Sequence, residues 1–478
     1  MADGFLARLL GTARTHPGRL AVAGPGVALT HGALAARVAG MAAWLARAGM
    51  APGTMAGVTL REDLDHLVVT LALLRLGCHQ VTLGSHEPAA LRAGIAARAG
   101  VAVVVADGAG DALPGLPLLQ PDHEAAAATP PGDLPEAPQA RALLVMTSSG
   151  TTGRPKLIPL SQAQLLAQSV RRAGLGRVRH RPVGLEHNNG MRFPLFALAN
   201  GDTHVLAAAS RNAPLADTCA RYGVEMLGVS PHQAESLLAA RKDGPWPAAT
   251  SIDLAGAAPG DGLVQRLQAA LTDRVFTLYG TSEVGSVARA GPAAHAAHPE
   301  GSGRVMPGAE VAVVDEAGAP LPPGEIGLLR IRTAGMADRY LGDEDATARC
   351  FRGGWFQPGD LGRLLPDGTL VVAGRSDDMM VLGSLNIFPA EIERAASGFP
   401  GLADCAAFAR RSAAQGDIPM LAAVEAAPGS LDAAALLAHC RARLGLRAPR
   451  RVVVMAALPR NAAGKVLRHA LAGADTGA

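Results

Sequence analysis

Apolar positions recur along the first hundred residues in two alternating rhythms. Leu34, Val38, Met41 and Leu45 fall three and four residues apart and the series stops at Gly49, the pattern of one buried helix face. Residues 58–60 read as a short strand, 64–76 as a second helix closed by Gly77, and 101–105 as an all-apolar strand. Helices alternating with short apolar strands predict a mostly parallel sheet covered by helices. Residues 107–138 lose this periodicity in a stretch rich in Ala, Pro, Gly and Asp, and read as a surface connector. An apolar run at 142–146 then reads as a strand and 161–170 as a helix, which leaves 147–156 as a loop between a strand and a helix.

Beyond residue 360 the texture changes. Pro366-Asp367-Gly368 is a hairpin signal between runs at 361–365 and 369–373. Pro389 opens a helix across A-E-I-E-R, and residues 421–424 and 451–455 read as strands with a helix over 431–444 between them. This is a small α+β unit of about a hundred residues, a size at which a domain folds and moves by itself. The whole chain of 478 residues exceeds what one core supports, so at least two domains are expected. No internal repeat is evident.

Composition narrows the partners. With 44 basic and 41 acidic residues the net charge is +3, no long Lys or Arg run stands out, and nucleic acid is not an expected partner. Cys78, Cys219, Cys350, Cys405 and Cys440 are scattered without a CxxC pair, which predicts reduced thiols rather than a zinc site or a disulfide framework. The opening M-A-D-G-F-L-A-R-L-L lacks the basic head and long apolar core of a secretory leader, and no uncharged apolar stretch is long enough to span a bilayer. A cytoplasmic protein without membrane contact is expected.

The loop T-S-S-G-T-T-G-R-P-K concentrates hydroxyls, glycines and a cation. Gly150 and Gly153 permit positive φ and bring backbone N–H groups to bear on one anion, while Thr147, Ser148, Ser149, Thr151, Thr152 and Lys156 add donors. The pattern suits a polyphosphate, although it is not the Gly-Lys-Ser/Thr phosphate loop. Four further motifs follow in order: Y-G-T-S-E at 279–283, G-W-F-Q-P-G-D at 354–360, G-R-S-D-D at 374–378 and L-P-R-N-A-A-G-K at 458–465. A lone Glu, Asp or Lys in any of them would read as a solvated charge or a turn residue. It is their joint order that carries information.

Together the five motifs resemble the acyl-adenylate-forming superfamily, which includes acyl- and aryl-CoA synthetases, the adenylation domains of nonribosomal peptide synthesis and luciferases. The pattern is nearest the acyl/aryl-CoA ligase branch. The resemblance runs from about residue 29 to residue 465. It implies an α/β enzyme with a large N-terminal mixed α/β domain, residues 1–376, and a small mobile C-terminal α+β domain, residues 377–478, hinged at Asp377. It implies an ATP-dependent ligase that forms an acyl- or aryl-adenylate, releases pyrophosphate, and passes the acyl group to a thiol. The phosphate loop would grip the β- and γ-phosphates. Glu283 would hold Mg²⁺, Asp360 would accept from both ribose hydroxyls, and Arg375 would lie near ribose and α-phosphate. Tyr279 would stack on adenine, with Gly256, Ala257, Ala258 and Pro259 along its other face and Gly280, Thr281 and Ser282 beside it. Lys465 would reach the carboxylate and α-phosphate during adenylation.

On the acid side, His187 lies in E-H-N-N-G-M and matches the H-x-x-G of the acyl- and aryl-CoA ligases. Asn188 stands where amino-acid-activating domains place an Asp, and an uncharged amide pairs poorly with a buried ammonium. Glu186 is the remaining seat for an amino-bearing acid. Asn188, Asn189, Met191, Ser230, His232 and Ala257 are the pocket residues the resemblance implies. Two departures stand out. Pro358 replaces the Thr or Ser that normally precedes Gly-Asp, and Ser384, after Gly383, replaces a glycine where the pantetheine arm passes closest to the backbone. The second departure weighs on the acceptor. Free CoA leads, a carrier-protein phosphopantetheine follows, and an amine acceptor is third. A nucleotide-binding regulator without turnover is the competing class, and the intact Lys465, Asp360 and Glu283 argue against it.

Overall fold

A computed structural model describes residues 4–130, 142–148, 155–240, 246–259, 262–382, 385–412, 416–460 and 466–474. The apolar rhythm of the first hundred residues builds a six-stranded sheet. Strands Leu118–Leu119, Val103–Ala106, Met55–Thr59, His79–Thr82 and Leu143–Ser148 run parallel in that spatial order. Helix Asp63–Leu76 buries most of its circumference and ends at Gly77, whose φ of +76° is the left-handed closure that favours glycine. Helix His31–Arg47 starts at the Thr30 cap, whose hydroxyl accepts from the Ala33 N–H.

The sixth strand differs from the sequence-based expectation. Lys156–Ser161 pairs antiparallel with Leu143–Ser148, and only then does helix Gln162–Val170 begin, capped by Ser161. The hydroxyl-rich loop therefore closes a β-hairpin and does not join a strand directly to a helix. The run K-L-I-P-L-S was hidden by Pro159, which is tolerated because the strand lies at the sheet edge. Part of the stretch expected as a connector also folds, as helix His123–Ala128 capped by Asp122.

The second sheet has 15 strands. Its parallel heart runs Thr203–Val205, Val178–His180, Met226–Val229, Ser251–Ala255 and Val275–Thr281. Gly285–Ala290 then returns antiparallel, and pairing continues through Gly303–Val305 to the hairpin Asp360–Leu364 and Thr369–Arg375, turned at Pro366-Asp367-Gly368 as expected. The third sheet lies wholly after residue 379 and holds Met380–Leu382, Leu385–Ile387, Leu402–Ser412, Gly416–Glu425 and Arg451–Val454. Helices Pro389–Ala396 and Ala433–Leu444 cover it, packing Ile392, Ala396, Leu436 and Cys440 against Met380, Leu421 and Ala423. Among the described residues no helix is long and apolar enough to cross a membrane, and no three His, Cys, Asp or Glu side chains gather as a metal group. All five cysteines are free.

Candidate functional site

Strand Val275–Thr281 delivers the motif residues to its C-terminal end, where open α/β sheets bind ligands. Tyr279 donates its phenolic hydrogen to Asp360 Oδ2 at 2.5 Å. Asp360 heads its strand directly opposite Arg375, whose Nη1 reaches Asp360 Oδ1 at 3.3 Å and the Pro358 carbonyl at 2.6 Å. Pro358 thus takes part through the one polar backbone group a proline keeps. Gly359 between them holds φ +78° while its carbonyl accepts from Ser376 N–H at 2.7 Å and Ser376 Oγ at 2.9 Å. Burial works against the Arg375 charge, yet Asp360 and Asp377 outweigh it and hold the guanidinium pKa above its ordinary value. Asp377, the expected pivot, is exposed and lies between the last strand of the large sheet and the first of the small one.

Glu283 follows the same strand and is only 7% exposed. Its Oε1 accepts from Tyr340 Oη at 2.8 Å, and its carbonyl accepts from Ala337 N–H at 2.7 Å, which binds the motif backbone to the loop carrying that tyrosine. From the other sheet, Lys156 reaches the same side chain: Nζ lies 3.5 Å from Tyr340 Oη and 4.5 Å from the ring centroid. The chain has three tyrosines, and two of them, Tyr279 and Tyr340, hold the two motif carboxylates. Burial first and the adjoining carboxylate second push both phenol pKa values up, so both remain O–H donors. Tyr340 was not legible in the sequence. It belongs to none of the five motifs, and a lone Tyr in R-Y-L-G-D reads as a core residue.

Thr147 and Ser148 end one strand of the hairpin and Lys156 begins the other, with Ser148 and Lys156 paired across its mouth. Ser149, Gly150, Thr151, Thr152 and Gly153 lie outside the described residues, as do Lys465, Gly383 and Ser384. The side chains of Asn188 and Asn189 are likewise outside the description.

The acid-side candidates separate into distinct environments. His187 precedes helix Asn188–Ala199, and its ring stands 4.3 Å from that of His86. Burial, reinforced by His86, lowers its pKa and favours the neutral imidazole. A cleft of about 270 Å³ opens beside it, lined by Arg61, Asp63, Pro182, Glu186 and Arg211 among others. Glu186 lines this cleft while Ser85 N–H and Ser85 Oγ each donate to it at 2.8 Å, which fixes the carboxylate in place. Met191 is 1% exposed and packs within the main core. The Ser230 hydroxyl accepts from Gln233 N–H at 3.2 Å in a capping box for helix Pro231–Ala239, and His232 is exposed on that helix's first turn. Gly256, Ala257 and Ala258 emerge exposed after strand Ser251–Ala255, and Gly280 is exposed beside half-buried Thr281 and Ser282.

Two family models match this chain. One described as AMP-binding enzyme covers residues 10–341, and one described as the AMP-binding enzyme C-terminal domain covers residues 391–465. An indoleacetate–CoA ligase of Aromatoleum aromaticum is 30% identical over 336 residues, which span 68% of this chain and 65% of that enzyme. A feruloyl-CoA synthase of an Amycolatopsis species is 28% identical over 479 residues, 95% of this chain and 96% of that enzyme. Among solved structures, an amide bond synthetase of Marinactinospora thermotolerans superposes with a TM-score of 0.88 over 100% of both chains at 24% identity. The o-succinylbenzoate CoA synthetase of Bacillus subtilis does so with a TM-score of 0.86 over 97% of both chains at 23% identity. At such identities these two establish the shared fold alone.

Proposed function

Because this chain belongs to the AMP-binding enzymes, the acyl-adenylate-forming superfamily, in its acid–thiol ligase branch, we propose that it activates a carboxylic acid with ATP and passes the acyl group to the thiol of CoA. The carboxylate oxygen attacks the α-phosphorus, pyrophosphate leaves, and the acyl-adenylate carbonyl then takes the thiolate while AMP departs. The observation that carries this reading is the pair of tyrosine-held carboxylates, Asp360 and Glu283, with Arg375 and Lys156 respectively beside them.

The two carboxylates have different tasks. Asp360 has acceptor capacity for ribose hydroxyls, and Arg375 offers charge to the α-phosphate. Glu283, a hard oxygen donor near Lys156 and the hairpin mouth, would hold Mg²⁺, which when bound would supply charge neutralisation for the phosphates. Nucleotide polarity follows, with ribose toward Asp360 and the triphosphate toward Lys156. A free carboxylate is a poor acylating agent, so the protein's contribution is in-line positioning and gathered positive charge. Lys465 supplies the last cation from the small domain, residues 377–478, which pivots at Asp377 against residues 1–376.

Pyrophosphate exchange over a panel of carboxylic acids tests the first half-reaction. No exchange with any acid would overturn it and favour a nucleotide-binding regulator. Acyl transfer to CoA, to a phosphopantetheinylated carrier protein and to an amine, each with wild type and Ser384→Gly, tests the second. If neither thiol is acylated while exchange is robust, the acceptor is a nitrogen nucleophile.

A further inference from the structure

Below the strand ends that present Gly256 and Tyr279, one face of the large sheet carries an unusual concentration of buried charge. Cross-strand register places Arg179 level with Met226, Ser251 level with Met226, and Gly228, Asp253 and Phe276 in one row. Arg181 follows two residues after Arg179 and projects to the same face, and Arg289, level with Leu278, completes it. Helices Gln162–Val170 and Asn188–Ala199 cover this face, and Arg172, just after the first, and Phe193, from the second, reach down to it.

The guanidinium carbons of Arg172 and Arg181 lie 5.5 and 5.7 Å from the Phe193 ring centroid, and that of Arg289 lies 3.6 Å from the Phe276 centroid. Gly228 lets this happen: a Cβ there would stand 2.8 Å from the Phe193 ring and 3.5 Å from Arg181 Nη1. The charges do not balance. Arg179 is paired with Asp202, while Asp253 serves Arg289 at 3.3 Å and, more distantly, Arg172 at 3.9 Å. Arg181 is 93% buried and makes no hydrogen bond or ion pair among the described residues, and Arg172 is 92% buried with that long contact as its ion pair and Met226 Sδ, 4.0 Å from its Nη2, as a weak acceptor. His204, which adjoins Phe193, is held neutral by burial and adds no further positive charge. Three cations thus face one carboxylate. An unpaired buried guanidinium is costly, and a site retains one where a ligand completes it.

We propose that the acid activated by this protein carries a second anionic group, a carboxylate or sulfonate, and that Arg181 receives it with Arg172 alongside. This rests on the adenylation reading for the position of the reacting carboxylate. Asp253 lies three residues before Gly256, roughly 10 Å along the strand at about 3.3 Å per residue, so the second acidic group lies within about 10 Å of the reacting one.

Matched acids test the proposal without any mutation. Terephthalate is compared with 4-isopropylbenzoate, and adipate with 6-methylheptanoate, each pair differing by a carboxylate replaced with an isopropyl group of similar shape. Wild type is expected to show about tenfold or greater preference in kcat/KM for the dianion in pyrophosphate exchange, because a charge-assisted bidentate contact is lost in the neutral partner. The preference should fall to near unity in Arg181→Gln and return in part in Arg181→Lys. Equilibrium dialysis of the same four acids without ATP reads the site independently of turnover. If dianions bind through Arg181 but no acid supports exchange, the adenylation reading fails and the anion site stands. Equal or better handling of the neutral partners, no dianion binding, or an unchanged ratio in a folded Arg181→Gln would overturn the inference.

Discussion

Removing a single oxygen from Tyr279 tests how the ribose carboxylate is set. Tyr279→Phe keeps the ring and its packing but deletes the donor 2.5 Å from Asp360 Oδ2. Asp360 is 8% exposed, so water replaces the lost donor poorly. A hydrogen bond to a charged group in such a setting contributes about 1.5 to 3 kcal/mol, equivalent to roughly a 10- to 150-fold change in an equilibrium constant. Where that energy appears decides the role. If Tyr279 presets Asp360 for ribose, the variant should raise the KM for ATP by about tenfold or more and narrow the wild-type preference for ATP over 3′-deoxy-ATP, since a misoriented carboxylate no longer rewards the missing hydroxyl. Pyrophosphate exchange with both nucleotides measures this, and urea unfolding of the same protein measures the structural share. Loss of stability by the full amount, with ATP KM and deoxynucleotide discrimination both unchanged, would refute the positioning role and leave the contact as core structure.

Three other outcomes are expected. If the small domain presents Lys465 in only one of two arrangements, as proposed, Lys465→Ala should abolish adenylate formation yet leave thioester formation from a supplied acyl-adenylate largely intact; equal loss of both half-reactions in a folded protein would contradict this. Asp377→Pro should fix φ at the pivot and depress one half-reaction far more than the other, read by comparing exchange with thioester formation. Acid should destabilise the protein through its buried histidines. Burial lowers His66 to about 4 and, with His180 and Arg179 nearby, His204 to about 3, from an ordinary 6.5. The unfolded chain therefore binds more protons below pH 6.5, and the stability present above that pH falls as pH drops toward 4 and 3. At pH 5 each histidine accounts for about 2 kcal/mol, so urea midpoints at pH 7 and 5 should differ clearly and the difference should shrink in His66→Asn.

Local chemistry was readable directly from the chain. Helices His31–Arg47 and Asp63–Leu76, the turn at Pro366-Asp367-Gly368 and the helix opened by Pro389 follow from periodicity, caps and turn residues acting over a few positions. The motif residues Glu283, Asp360 and Arg375 stood out because their order along the chain is itself information. What tertiary structure decided was pairing between distant segments. Lys156–Ser161 became a strand only because an edge position tolerates Pro159. Tyr340 became the partner of Glu283, 57 residues away, and of Lys156 from another sheet, contacts no local pattern encodes. The burial of Met191 in the main core and the two hydrogen bonds from Ser85, 101 residues earlier, that fix Glu186 are likewise long-range. Nothing local in the sequence marks Arg172, Arg181 and Arg289 for burial. Only the sheet register, which sets Gly228 beside Asp253 and lets Phe193 settle between arginines, shows that they face inward with one carboxylate among them.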